Sequence, residues 1–154
     1  MSGMLQFALI TVLFAQASAF TYSNLGLDTD LVAVERRYPR STHVGDHIQI
    51  AREDVRDFVT GISLSGNGPS RRLRIAFEAQ LANGTNSYPR CAEIQRDLER
   101  RYGPPQSVRR FNEEASPRSD RIWKNAREQM TLVCFEPARG NTSLRAEAIV
   151  IVRR

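Results

Sequence analysis

The sequence predicts an α+β fold built of two similar halves, each a helix followed by an antiparallel β-meander. Three observations predict it. The tetrapeptide Glu35-Arg36-Arg37-Tyr38 recurs as Glu99-Arg100-Arg101-Tyr102. Each copy closes a stretch whose apolar residues repeat with helical spacing. Each helical stretch is followed by short strand-like runs separated by Gly, Asn and Pro turn signals, an order that gives helices beside an antiparallel sheet. The halves cover about residues 20–80 and 88–154.

Before the first half stands a segment of another kind. Residues 1–19 read as a removable export signal: Phe7–Ala15 is an apolar run, and Ala17-Ser18-Ala19 places small residues where a signal peptidase cuts, just before Phe20. The run is too short for a hydrocarbon core of ~30 Å, which takes roughly 20 apolar residues. Its leading end carries no Lys or Arg, so the terminal amine is its one positive charge. The competing reading is a buried strand or helix at the start of a cytosolic chain. Export leaves residues 20–154 as a single domain with no further run long enough to span a membrane.

In the first half, Leu27, Leu31, Val34 and Tyr38 share one helical face. Asp28 or Thr29 is placed to cap its start, and Pro39 ends it. Strands follow at His47–Ala51, Phe58–Ser65 and Arg72–Glu78, with a short helical turn at Asp54–Asp57 and a turn at Gly66-Asn67-Gly68-Pro69. Ala79–Pro89, rich in Asn, Gly, Ser and Thr, connects the halves. In the second half, Cys91, Ile94, Leu98 and Tyr102 form the helical face, and Gly103-Pro104-Pro105 stops the helix. Strands are expected at Ser107–Asn112, Arg121–Asn125, Thr131–Glu136 and Leu144–Val152. Tyr38 and Tyr102 should both turn inward against the sheet.

This element order, with Tyr102-Gly103-Pro104-Pro105 after the second helix, resembles the tandem helix-plus-antiparallel-sheet proteins of bacterial envelopes. They include the β-lactamase-inhibitor-protein type and the small outer-membrane-assembly lipoprotein that looks like half of it. The resemblance implies an envelope protein with a two-part sheet. No cysteine stands at the cut to accept a lipid, and the resemblance carries over no functional residue.

Cys91 and Cys134 are the two cysteines, and an even count in an oxidising compartment reads as a disulfide. Their spacing is not that of a CxxC redox motif, and no His lies near either to complete a zinc site. The formal charge is +5 and Lys124 is the one lysine, so the positive charge is nearly all arginine. Such an arginine bias fits GC-rich coding sequence, hence a bacterium and a periplasmic or secreted location. It also fits recognition of carboxylate or phosphate. Basic clusters lie at Arg36-Arg37-Arg40, Arg71-Arg72-Arg74, Arg100-Arg101 and Arg109-Arg110.

Candidate binding residues are Arg36, Arg37, Arg100 and Arg101, which close the two helices at matching positions, together with Trp123. Two readings of each stay open. The helix arginines either present a basic face to an envelope protein or an anionic envelope component, or complement the helix dipole. Trp123 is either an interface anchor or a core residue over the disulfide. His43 and His47 are the only clustered metal-type ligands, but Gly45 and the strand at His47 argue against the helix that would align them, so they read as loop histidines and no metal or other cofactor is expected. Glu113-Glu114 reads as a solvated loop, and Asn83 and Asn141 head glycosylation-type triplets that matter only in a eukaryotic host. No GxSxG, phosphate-binding Gly loop or Cys–His nucleophile is present. No nucleic-acid partner is expected either. The expectation is a non-catalytic macromolecule-binding module; the alternative is a small periplasmic hydrolase using His43 or His47.

Overall fold

The structure, a computed structural model, describes residues 19–77, 88–112, 117–135 and 147–154, and the side chains of all these except residues 88–90. Residues 1–18 of the stretch read as an export signal, residues 79–87 of the expected connector, Glu113-Glu114 and both Asn triplets lie outside the described residues, while Tyr88 and Pro89, expected in the connector, belong to the second helix. Helix α1 spans Leu31–Arg37 and α2 spans Tyr88–Tyr102. Eight strands follow in chain order: β1 (Thr42–Val44), β2 (His47–Gln49), β3 (Val59–Ser65), β4 (Arg72–Phe77), β5 (Ser107–Phe111), β6 (Arg118–Lys124), β7 (Glu128–Phe135) and β8 (Glu147–Arg153). The fold is α+β.

The strands form one antiparallel sheet in the order β1-β2-β3-β4-β8-β7-β6-β5. Each helix therefore precedes a four-stranded meander, and the meanders meet where their last strands pair, from Arg72↔Val152 to Phe77↔Glu147. Strand side chains alternate between faces. One row crosses the sheet as Leu132, Ile149, Ile75, Ile62 and Ile48, all buried. That face carries the core, which α1 joins through Val34 and α2 through Cys91, Ile94 and Leu98. A disulfide from Cys91 to Cys134 in β7, with Cα atoms 6.0 Å apart, ties α2 to the sheet. Phe20, Tyr22, Leu25 and Leu27 fill the same core from the segment before α1.

Several boundaries move from the expected ones for local reasons. The α1 cap is Asp30, whose carboxylate accepts the Val32 N–H at 3.1 Å. Asp28 instead pairs with Arg153 at 3.0 Å, and Thr29 Oγ1 accepts the Gly26 N–H. Leu27 thus reaches the core from a turn rather than from the helix. The short turn expected at Asp54–Asp57 is a 3-10 turn at Arg52–Asp54, and Asp57 and Phe58 both take left-handed backbone. His43 and His47 stand on strands, not in a loop: β1 and β2 form a hairpin closed by Gly45-Asp46, with Gly45 at φ +61°. Between β3 and β4, Gly66 at φ +72° has no room for a side chain, since a Cβ would lie 2.3 Å from the Ser70 carbonyl oxygen.

Candidate functional site

The sheet face turned away from the helices is built from the alternate residues of the same strands. One row on it crosses all eight strands: Ser107, Ile122, Thr131, Val150, Arg74, Ser63, His47 and Val44. The next row runs Arg109, Asp120, Val133, Ala148, Ala76 and Gly61. Its middle is made of small residues, and at Gly61 a Cβ would come within 2.8 Å of the His47 ring. Small side chains between larger flanks leave a hollow. It has a volume of about 430 Å³ and is lined by strand residues of β4, β6, β7 and β8.

Charge in the hollow is organised around one fork. Arg118 donates from Nε and Nη2 to the two Asp120 carboxylate oxygens, each at 2.6 Å, and its guanidinium lies 5.1 Å from the centre of the Phe111 ring. Asp120 is buried, so this bidentate pair fixes both side chains on the floor. Arg72 and Arg74 line the same hollow and have no ion-pair partner among the described residues. Val133, Val150, Val152 and Phe135 supply apolar surface around them. The result is a partly apolar groove with an excess of guanidinium, whose chemistry suits carboxylate or phosphate groups.

The residues singled out in the sequence lie elsewhere. Arg37 donates to the Ser23 carbonyl and hydroxyl oxygens and packs 5.4 Å from the Tyr38 ring centre. Arg36 is exposed on α1. Arg100 and Arg101 both pair with Asp97, at 3.0 and 3.1 Å, and Arg100 shares a shallow α2 groove with Glu93, Arg96 and Glu99, where charges of both signs mix. Trp123 is fully buried, its indole N–H donating to the Gly103 carbonyl at 2.8 Å, so it belongs to the core and offers no surface to a partner. The structure does not bring these five residues together. Of the groove residues, Arg72 and Arg74 were visible in the sequence as a basic cluster. Arg118 and Asp120 were not, because the polar start of β6 carries no apolar alternation.

The histidines separate as well. His43 pairs in register with Ile48 and His47 with Val44, which puts the two imidazoles on opposite faces of the sheet. His43 Nδ1 lies 2.6 Å from Glu35 Oε1, both side chains well exposed. His47 Nδ1 lies 2.8 Å from Ser63 Oγ, and its Nε2 lies 3.4 Å from Gln49 Oε1. Among the described residues no three metal-type ligands cluster. None of their helices is long and apolar enough to cross a membrane. Comparison of the chain with protein-family models, with curated proteins and with solved structures finds no match.

Proposed function

We propose that the protein is an exported, non-catalytic binding module that takes an anionic macromolecule of the envelope on the open face of its sheet. The groove carries this reading: Arg72 and Arg74 stand there with no ion-pair partner among the described residues, beside a braced Arg118–Asp120 fork and a border of valines. Export is supported by the leader-like residues 1–19, and a disulfide suits an oxidising periplasm or extracellular medium. The two-halves reading is ours on the same footing. It is supported by the order helix then four strands, twice over, and by the antiparallel pairing of the two last strands, as a two-fold relation would require. This plan is also what the resemblance to tandem envelope proteins implies.

The test is charge reversal on each face. Arg72→Glu with Arg74→Glu should weaken capture of the envelope partner at least about tenfold at low salt and less at high salt. Arg36→Glu with Arg100→Glu should leave capture unchanged. The opposite pattern would move the site to the helices.

A second reading, a small hydrolase using His47, is favoured by one contact, the 2.8 Å approach of His47 Nδ1 to Ser63 Oγ. That is a base-to-nucleophile distance, with Gln49 where an orienting acid would stand. Under this reading Ser63→Ala abolishes hydrolysis of a model ester; under the first, partner capture survives Ser63→Ala and no hydrolysis is there to lose.

A further inference from the structure

Glu128 opens β7 and is 7% exposed, on the core side of the sheet. Its backbone is fixed by a tight turn, in which the Asn125 side-chain oxygen accepts the Glu128 N–H and the Glu128 carbonyl accepts the Asn125 N–H. Among the described residues, the single hydrogen-bond donor to the carboxylate is the backbone nitrogen of Phe20, at 2.7 Å. The neighbouring cations are engaged elsewhere or face solvent: Arg153 pairs with Asp28, Arg154 donates to the Asn125 carbonyl, and Arg127 is exposed. A carboxylate held by one neutral amide has no cationic partner among the described residues.

The nitrogen in question is the one that a cut after Ala17-Ser18-Ala19 would release. Its surroundings already hold it in place. The Phe20 ring is buried and meets the Tyr102 ring edge-on at 5.1 Å between centres. The Tyr102 hydroxyl accepts the Thr21 N–H at 2.9 Å and donates to the Thr21 carbonyl at 2.9 Å. Ala19, one residue earlier, is exposed and lines a cavity of about 540 Å³ with Asp28, Glu128 and Arg153. Residue 19 can therefore be absent without uncovering the core. A new ammonium would find Glu128 on one side and open space for its remaining donors on the other.

We propose that Phe20 becomes the first residue of the mature protein and that its α-ammonium forms a buried ion pair with Glu128, so that processing completes the fold. The step is a hydrolysis carried out by a signal-type peptidase on the unfolded, exporting chain. Water adds to the Ala19 carbonyl, the Ala19–Phe20 C–N bond breaks, Ala19 leaves as a carboxylate, and the Phe20 nitrogen takes up protons to become an ammonium. On folding, the one neutral N–H on Glu128 is replaced by a cationic donor at the same position, and 2.7 Å is already the distance of a charge-assisted bond. An unprocessed chain keeps the neutral donor in place of this ion pair and is the less stable of the two.

The inference rests on the export reading above, and the experiment separates them. Protein exported from the full-length gene is purified as native and as Glu128→Gln, its N-terminus is read by mass, and its α-amine is acetylated under native and denaturing conditions. The expected result is a chain starting at Phe20 whose amine reacts at least about tenfold more slowly when folded, a protection lost in Glu128→Gln together with roughly 5 °C of unfolding midpoint. A start at Met1 overturns both readings, and a start at any other residue overturns the ion pair and leaves export standing. A start at Phe20 with an amine that reacts equally in the folded and unfolded native protein overturns the ion pair and leaves export standing. That last measurement needs no variant to fold.

Discussion

Tyr22 and Tyr38 are both buried tyrosines of the core, yet their hydroxyls have opposite fates. The Tyr22 hydroxyl donates to the Asp57 carbonyl at 3.0 Å, whereas the Tyr38 hydroxyl has no hydrogen-bond partner among the described residues. A buried hydroxyl without a partner loses its water for nothing in return, so Tyr38→Phe should be neutral or stabilising by up to about 1 kcal/mol. Tyr22→Phe should cost about 1 kcal/mol at pH 7 for the lost bond. The two also part in alkali. Burial first, and then the negative charge of Asp57, push the Tyr22 phenol above its ordinary value. The folded chain then keeps a proton that the unfolded chain releases above a pH of about 10, and stability present below that value drains away as pH rises past it. Urea unfolding at pH 7 and in the alkaline range checks this. The native protein should lose more stability across that interval than Tyr22→Phe, and parallel losses would remove Tyr22 from the account. Trp123 makes a related point about single residues. Its indole N–H finds the Gly103 carbonyl inside the core, so a polar handle that suggests a surface role from sequence is satisfied without leaving the interior.

At the scale of elements, what the sequence made legible depends on how local each signal is. Helix α2 was plain because Cys91, Ile94, Leu98 and Tyr102 repeat over several turns before Gly103-Pro104-Pro105, and three of the four are buried. Strands β3, β4 and β8 were found to within a few residues because each carries apolar residues in a short stretch bounded by turn residues. Strand β1 was missed because Thr42-His43-Val44 is short, exposed along its whole length and paired with a single strand, β2. The first residues of β6 were missed because Arg118 and Asp120 satisfy each other across the face, where no apolar pattern records it. The disulfide joins two elements that were separately legible, Cys91 in α2 and Cys134 in β7. It closes a sequence separation of 43 residues, and α2 has its principal sheet neighbour in β7. Loss of a cross-link of this span is worth about 2–5 kcal/mol. Cys134→Ala should lower the unfolding free energy by that amount, and reduction of the native protein should reproduce it. A reduced protein that unfolds at the same denaturant concentration as the oxidised one would show that α2 is held by packing alone.

The groove is a property of the whole molecule, which is why the candidate site was the least legible part of the sequence. The Glu-Arg-Arg-Tyr repeat drew attention to Arg36 and Arg100 because it can be read along the chain. The open face arises only when β4 pairs with β8, residues 70 to 80 positions apart, and no local pattern announces that register. That pairing puts Ala76 beside Ala148 and sets Arg72 and Arg74 beside Val152 and Val150. Shape and charge in the groove can therefore be changed independently. Ala148 lies in the floor between Val133 and Ala76, and Ala148→Phe would project a ring into the hollow while leaving every arginine in place. If the groove receives the partner, this variant should weaken binding by a similar factor at low and high salt, since occupied volume is not screened. The loss from Arg72→Glu with Arg74→Glu should shrink as salt rises, since exposed charge is screened beyond about 10 Å at 0.1 M salt. Binding by both variants is measured at two salt concentrations, with thermal melts to confirm that each sheet still folds. A folded Ala148→Phe protein that binds as tightly as the native one would exclude the groove as the seat of binding, whatever the arginines do.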